Sequence, residues 1–214
     1  MKIVALPSAL HIAFFVIAIS ATVHAQNAQK SSVSESELQA KIAYCKTCHG
    51  LSGQGYRGSI PIPRLAGQQS EYLEAQLRAF IERKRTSSFM PKVADALSPP
   101  MQGALASHFN ELNPKPLGGA PKELVAKGKA IYEEGVPEAN VAPCSSCHGP
   151  SAMGDGQFPR LAGQLHDYIS VRLARWRIAR QERSEADPAG MESIARSLTE
   201  SQIFAVAAYL SDLE

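Results

Sequence analysis

The sequence predicts an all-α protein made of two tandem domains. Apolar residues recur at the three- and four-residue spacing of amphipathic helices, for example at Leu38, Ile42 and Ala43. No segment shows the sustained alternation of apolar and polar residues that marks a strand. The chain also repeats itself, because the hexapeptide Pro-Arg-Leu-Ala-Gly-Gln occurs at 63–68 and again at 159–164. A repeated helical segment of this kind indicates two similar domains.

The first 25 residues have the pattern of a secretory signal peptide. Lys2 is the only charge before Lys30, and an apolar run of eight residues covers 12–19. Val23-His24-Ala25 provides an acceptable cleavage site. The apolar run is much shorter than the roughly 20 residues that a spanning helix needs. We therefore expect export to the periplasm, a mature protein that begins near Gln26, and no membrane-spanning segment in that mature protein.

A segment rich in proline and glycine marks the predicted boundary between the two domains. Residues 113–121 hold three prolines and two glycines, which interrupt any regular element. We therefore predict a linker over 113–121, an N-terminal domain over 26–112 and a C-terminal domain over 122–214.

The predicted helices come in the same order in both domains. The first precedes the cysteines, at 36–44 in the N-terminal domain and directly after Pro121 in the C-terminal domain. In the C-terminal domain a loop over 135–143 separates this helix from the first cysteine. The later helices are predicted over 71–83, 98–112, 167–183 and 199–213. Ser98 and Thr199 are the expected N-cap residues of the last helix in each domain.

All four cysteines belong to two copies of the motif Cys-x-x-Cys-His. The copies consist of Cys45, Cys48 and His49, and of Cys144, Cys147 and His148. Two thiols at this spacing can form thioether bonds to the vinyl groups on one edge of a haem, and the histidine can then bind the iron. The motif therefore predicts two covalently bound haem c groups.

A redox disulfide and a zinc site are the two alternatives for these cysteines. A redox Cys-x-x-Cys favours a βαβ context and needs no following histidine. Zinc usually takes four ligands, so each motif would lack one, or the two motifs would have to share one zinc across the chain.

A methionine in each domain is the expected sixth ligand of the iron. Met90 and Met191 each lie seven residues before the leucine that begins the final helical segment, on a predicted loop. Met101 falls inside the last helix and is the only rival to Met90 in the N-terminal domain, whereas Met153 is too close to His148; we assign Met101 to packing and Met153 to a loop. His108 and His166 have no counterpart in the other domain, and we interpret them as surface or packing residues.

The carbonyl groups of Pro63 and Pro159 are the expected hydrogen-bond acceptors for His49 and His148. An iron-bound histidine usually donates its second ring N–H to a carbonyl or carboxylate. The two prolines follow the glycine-rich loops at equivalent positions of the repeat.

Formal charge is divided unevenly between the domains. Residues 26–115 carry 11 Lys and Arg against 7 Asp and Glu, and residues 116–214 carry 10 against 13. Either these are ordinary solvated surfaces, or the charge dipole orients the molecule on its partners. The small net charge and the lack of a basic stripe with aromatic residues argue against nucleic-acid binding.

These motifs together resemble a class I cytochrome c domain, and two such domains after a signal peptide resemble the diheme cytochromes of the cytochrome c4 type. The likeness covers nearly all of residues 36–214 and includes the ending Gly190-Met191 with Ile194, Ala195 and Leu198. The resemblance implies two His/Met haems that lie near each other across a pseudo-two-fold interface. The N-terminal domain departs from the family pattern because it lacks the glycine and aromatic pair that Gly128 and Tyr132 supply in the C-terminal domain.

The resulting functional expectation is a periplasmic electron carrier without enzymatic activity. It would pass single electrons between redox protein partners of the respiratory chain, toward a terminal oxidase or another periplasmic acceptor. One alternative is the cytochrome subunit of a periplasmic dehydrogenase or a sulfide-oxidising flavoprotein. Another is a diheme peroxidase, which would need an open iron site with acid/base groups beside it.

Overall fold

The computed structural model describes residues 33–178 and 190–214, and within them it is helical, without a β-sheet. The predicted all-α class is therefore confirmed. Isolated antiparallel bridges pair Tyr56 with Ile62, Val136 with Val141, and Asp155 with Phe158. The helices are Glu35–His49 (α1), Ser70–Ile81 (α2), Met90–Asp95 (α3), Pro99–Glu111 (α4), Lys122–Glu134 (α5), Ser145–His148 (α6), His166–Ile178 (α7), Met191–Ser197 (α8) and Glu200–Asp212 (α9).

Two of the sequence predictions fall outside the described residues. These are the signal peptide at 1–25 and the end of the helix predicted to reach Arg183. Within the described residues, none of the helices is both long enough and apolar enough to cross a membrane.

The first half of the chain packs α2 against α3 and α4, and α1 against α4. Its buried side chains include Phe80 of α2 and Met101, Leu105 and Phe109 of α4, which recur at helical spacing on the face turned inward. Helix α1 begins with Glu35 and Glu37 in its first turn, where acidic side chains favour the helix dipole. It continues through the whole first Cys-x-x-Cys-His motif to His49.

The second half packs α9 against α5 and α7, and α8 against α7. Gly128 allows the close approach of α5 and α9, because a Cβ atom at this position would lie 2.0 Å from the carbonyl oxygen of Ala205. Helix α5 ends at Glu134, and the predicted loop at 135–143 contains one turn of 3-10 helix, Pro137–Ala139. The second cysteine motif is therefore separate from α5, in contrast to the first motif, which lies within α1: Cys144 caps the short helix α6, and Cys147 and His148 lie within it.

The structure corrects one local prediction. Met90 and Met191 were expected on loops, but each is the first residue of a short helix, α3 or α8. In α3, Pro91 follows Met90 in the first turn, where proline is compatible with a helix because its missing N–H has no helical partner. In α8 the left-handed backbone of Gly190 precedes Met191 and starts the helix.

Candidate haem-binding sites

His49 is held in one orientation by the loop that follows it. It ends α1, is buried, and its Nδ1 lies 2.9 Å from the carbonyl oxygen of Pro63. A carbonyl oxygen can only accept, so Nδ1 must carry the proton and Nε2 is left with the lone pair that a metal needs. Burial lowers the pKa of His49, and the Pro63 carbonyl opposes that shift, so the imidazole is held neutral.

His148 has the same arrangement in the second half of the chain. It ends α6, is buried, and its Nδ1 lies 3.0 Å from the carbonyl oxygen of Pro159. Burial lowers the pKa of this imidazole as well, and the Pro159 carbonyl again acts in the opposite direction. Both histidines therefore present Nε2 as the free ring nitrogen.

No disulfide joins any of the four cysteines. Within each motif the first is half-buried and the second exposed, so Cys48 and Cys147 face outward. Burial raises the pKa of Cys45, and it raises the pKa of Cys144 to about 11. Burial therefore disfavours the thiolate form of Cys45 and Cys144.

The donor set fits haem better than zinc. In the described part of the chain, no group of three or more His, Cys, Asp or Glu side chains is placed to hold a metal ion. The histidine of each motif instead turns to its proline and leaves Nε2 available. A haem suits this arrangement because the thiols bind the porphyrin edge and only the imidazole binds the metal.

The proposed methionine ligands come from different elements than the histidines. Met90 begins α3 and Met191 begins α8, and both side chains are half-buried. Of the other two candidates, Met101 of α4 is only 2% exposed and belongs to the buried core, whereas Met153 is 37% exposed on a loop. The backbone carbonyl of Met153 accepts a hydrogen bond from Gln69 at 2.9 Å.

The two remaining histidines in the described residues make packing contacts. The ring of His108 meets the ring of Phe109 edge-on, with 5.2 Å between their centroids. The ring of His166 lies 5.7 Å from that of Phe204, and its Nδ1 lies 3.1 Å from a carboxylate oxygen of Asp167.

The repeated hexapeptide joins the two halves, a role that the sequence did not reveal. Gln68 of the first half accepts from the backbone N–H of Arg160 at 2.7 Å and donates to the Arg160 carbonyl at 3.0 Å. Gln164 of the second half makes the same pair of bonds with Arg64, at 2.8 and 3.0 Å. The identical copies of the hexapeptide were the available signal, but a repeat alone does not say which residues meet.

The arginines of the hexapeptide are buried at the same junction. Arg64 and Arg160 are 3% and 4% exposed, and each donates from Nε to a carbonyl two residues later in its own loop. A Cβ atom on Gly67 would lie 2.5 Å from Nη1 of Arg160, so the guanidinium of one half packs against the glycine of the other. Burial, with a smaller effect of Arg160, lowers the pKa of Arg64 to about 10.

A second contact between the halves joins the loop that follows α2 to α7. Arg85 donates to the hydroxyl of Tyr168 at 2.6 Å and to Gln76 at 2.5 Å. Its guanidinium also lies 4.8 Å from the centre of the Phe80 ring. Burial raises the pKa of Tyr72, and the charge of Arg85 opposes that shift.

A model of the family described as Cytochrome c matches this chain twice, at residues 34–115 and 125–214. The chain belongs to the cytochrome c family. Cytochrome c-552 of Acidithiobacillus ferridurans is 38% identical over 174 residues, which cover 79% of this chain and 73% of that protein. Cytochrome c4 of Thiocapsa roseopersicina is 38% identical over 79% of this chain and 86% of its own length. The thiosulfate dehydrogenase electron acceptor of Thiomonas intermedia is 35% identical over 80% of this chain and 79% of its own.

Solved structures agree with this assignment. The cytochrome c4 of Acidithiobacillus ferrooxidans is similar with a TM-score of 0.70 and 36% identity, over 80% of this chain and 99% of that one. Thiosulfate dehydrogenase TsdBA from Marichromatium purpuratum is similar with a TM-score of 0.70 and 32% identity, over 79% of this chain but 36% of that one. This cytochrome c is thus a diheme, cytochrome c4-like electron carrier with two covalent haem c groups, one for each cysteine motif.

Proposed function

We propose that this cytochrome c moves single electrons between redox proteins of the periplasm, with His49 and Met90 as the iron ligands of the first haem and His148 and Met191 as those of the second. In this proposal, Cys45 and Cys48 hold the first haem, and Cys144 and Cys147 hold the second. The observation that carries the histidine assignment is the matched pair of hydrogen bonds from His49 and His148 to Pro63 and Pro159. The methionine assignment is supported by the matching places of Met90 and Met191 at the starts of α3 and α8.

When bound, haem supplies a one-electron iron couple whose potential depends on its axial ligands and surroundings. The residues of the chain hold and tune it. The Pro63 and Pro159 carbonyls fix the tautomer and ring orientation of the histidines and increase their basicity. The burial of both histidines keeps water from their rings, and a methionine sulfur as the other iron ligand would favour the reduced state.

Replacement of each methionine by alanine tests the ligand assignment. We expect Met90→Ala to open the first haem only, so that this haem binds carbon monoxide and its potential falls, while the second haem keeps its spectrum. Met191→Ala should do the reverse. The oxidised wild type should show the weak red-edge absorption band of sulfur-to-iron charge transfer, and each variant should lose the share due to its own haem.

Met101→Leu and Met153→Ala are the matched controls. Leucine keeps the volume at the buried Met101 position, and Met153 lies on an exposed loop, so both haem spectra should be unchanged. If a Met101 variant opens the first haem instead, the assignment of Met90 is wrong. If the wild type binds carbon monoxide stoichiometrically at one haem, that haem lacks the methionine, and a diheme peroxidase or sensor becomes the better proposal.

The immediate partner has two candidates. The first is a terminal oxidase or another periplasmic acceptor, which would make the protein a free shuttle. The second is a periplasmic dehydrogenase, which the names of two relatives favour, since each is a thiosulfate dehydrogenase electron acceptor. Purification of the native protein from the periplasm distinguishes them, because a subunit should bring its dehydrogenase with it at a constant ratio. A shuttle should purify alone, with an N-terminus near Gln26.

A further inference from the structure

One peptide group connects each haem-site histidine to the opposite half of the molecule. The carbonyl of Pro63 and the N–H of Arg64 are the two ends of the same peptide group. The carbonyl end lies 2.9 Å from Nδ1 of His49, and the N–H end donates to Oε1 of Gln164 at 2.8 Å. His49 in the first half is therefore connected through a single peptide group to a side chain of the second half.

The reciprocal connection has the same geometry. The carbonyl of Pro159 lies 3.0 Å from Nδ1 of His148, and the N–H of Arg160 donates to Oε1 of Gln68 at 2.7 Å. Each half thus supplies the glutamine for the histidine of the other half.

The two glutamine amides are held in this orientation by their other bonds. Nε2 of Gln164 donates to the Arg64 carbonyl at 3.0 Å, and its Oε1 also accepts from the N–H of Leu165 at 3.0 Å. The side chain is 6% exposed. Because the partners are a carbonyl on one side and two N–H groups on the other, the amide can be assigned in one way only.

A peptide group whose N–H is hydrogen-bonded becomes a stronger acceptor at its carbonyl, since bonds in such a chain polarise one another. A stronger acceptor draws the Nδ1 proton away from the imidazole and makes Nε2 a better electron donor to iron. A better donor stabilises the oxidised iron, which carries the higher charge, and so lowers the reduction potential.

We propose that Gln164 tunes the reduction potential of the haem bound by His49, and that Gln68 tunes the potential of the haem bound by His148. They are positioning residues, because each acts through a peptide group and not by contact with a haem. This inference rests on the proposed function, in which the two histidines are iron ligands.

The test is a pair of substitutions with a crossed outcome. In holoprotein carrying Gln164→Leu, we expect the potential of the His49 haem to rise and that of the His148 haem to stay the same. Gln68→Leu should raise only the potential of the His148 haem. At fixed ambient potential, the ratio of oxidised to reduced haem should change by up to about twofold, because the hydrogen bond between the peptide carbonyl and the histidine is weakened by only a fraction of its free energy.

A readout at the histidine separates this mechanism from a general change in the protein. In the reduced protein, the Nδ1 proton resonance of His49 should move upfield in Gln164→Leu, and that of His148 should remain in place. Gln69→Leu is the matched control, because the Gln69 side chain also donates across the junction, to the Met153 carbonyl, but it touches neither of the two peptide groups that are bonded to a histidine ring. Gln69→Leu should leave both potentials and both resonances unchanged.

Three outcomes would overturn the proposal. These are equal shifts at both haems, a shift at the haem in the same half as the mutated glutamine, and unchanged potentials in a variant whose halves remain together. If Gln164→Leu separates the halves, as a larger hydrodynamic radius would reveal, Gln164→Glu is the variant to measure. It keeps an acceptor for the Arg64 N–H with more negative charge, so the His49 haem potential should fall; an unchanged or higher potential overturns the proposal. If the wild type shows no Nδ1 proton signal from an iron-bound His49 or His148, the proposed ligands are at fault instead.

Discussion

Thr199 and Ser98 occupy equivalent positions before the last helix of each half, but they act differently. The Thr199 hydroxyl accepts from the N–H of Gln202 at 3.3 Å, and the Gln202 side chain accepts from the N–H of Thr199 at 2.8 Å, which makes a reciprocal capping box. The Ser98 side chain makes no cap hydrogen bond. In the sequence that follows Ser98, Pro99 and Pro100 have no N–H groups, and Met101 stands at the position of Gln202, where it has no amide or carboxylate group to complete a reciprocal capping box.

This difference gives a prediction at the scale of one residue. Thr199→Ala should lower the free energy of unfolding by about 1 kcal/mol, the usual cost of losing an N-cap. Ser98→Ala should lower it by much less. Urea denaturation of the holoprotein, followed by far-ultraviolet circular dichroism, measures both, and equal losses would show that the capping box does not stabilise α9.

At the scale of elements, the two halves differ in how their first and last helices cross. In the second half α5 and α9 pack closely at Gly128, where there is no room for a side chain. In the first half α1 and α4 make a smaller contact, and the sequence has no corresponding glycine. The departure from the family pattern at this position therefore coincides with a looser helix crossing.

Gly128→Ala should destabilise the protein by about 3 kcal/mol, since the new methyl group would force α5 and α9 apart. The matched control is Gly103→Ala in α4, where the nearest atom to the added Cβ is a carboxylate oxygen of Glu74 at an ordinary 3.7 Å. This control should be stabilising by up to about 1 kcal/mol, because alanine favours a helix more than glycine does. Thermal unfolding of both holoproteins distinguishes the two effects, and similar losses would mean that the crossing tolerates the methyl group.

At the scale of the whole molecule, the two halves of the chain carry opposite formal net charges. The first half is formally positive and the second negative. A dipole of this kind orients a carrier in the field of a charged partner before contact, and salt screens the effect. Lys41 and Lys46 on α1 and Lys92 on α3 are the lysines of the first half that lie close along the chain to its cysteine motif and proposed methionine ligand.

Reversal of these lysine charges tests whether the dipole has a function. At an electrode coated with a carboxylate-terminated monolayer, Lys41→Glu, Lys46→Glu and Lys92→Glu should each slow electron exchange at low ionic strength. The difference should shrink at about 1 M salt, where the screening length falls to about 3 Å. Lys127→Glu, at an exposed lysine of α5 in the acidic half, is the control and should have little effect. If the electron-exchange rate of the wild type does not depend on salt, the charge dipole has no function in docking, and the two charged surfaces are ordinary solvated surfaces.

The sequence by itself determined the features that depend on residues close together in the chain. The spacing within Cys45–His49 and Cys144–His148 specifies haem attachment, because two thiols and an imidazole within five residues reach the porphyrin edge and the metal. Helical periodicity and capping residues placed the last helices of both halves, α4 and α9, to within a residue of their observed ends. The helices that contain Met90 and Met191 were missed because each is short and has too few residues to show a period.

Only the tertiary structure decided how the two halves meet. The hexapeptide repeat was visible in the sequence, but its periodicity carries no information about which face of one copy opposes the other. The pairing of Gln68 with Arg160 and of Gln164 with Arg64 spans more than 90 residues and arises from two loops that approach each other. A long-range contact between backbone groups and side-chain amides leaves no local pattern, since any residue offers the same backbone N–H and carbonyl. The physical connection between the two haem sites therefore became apparent only from the folded chain.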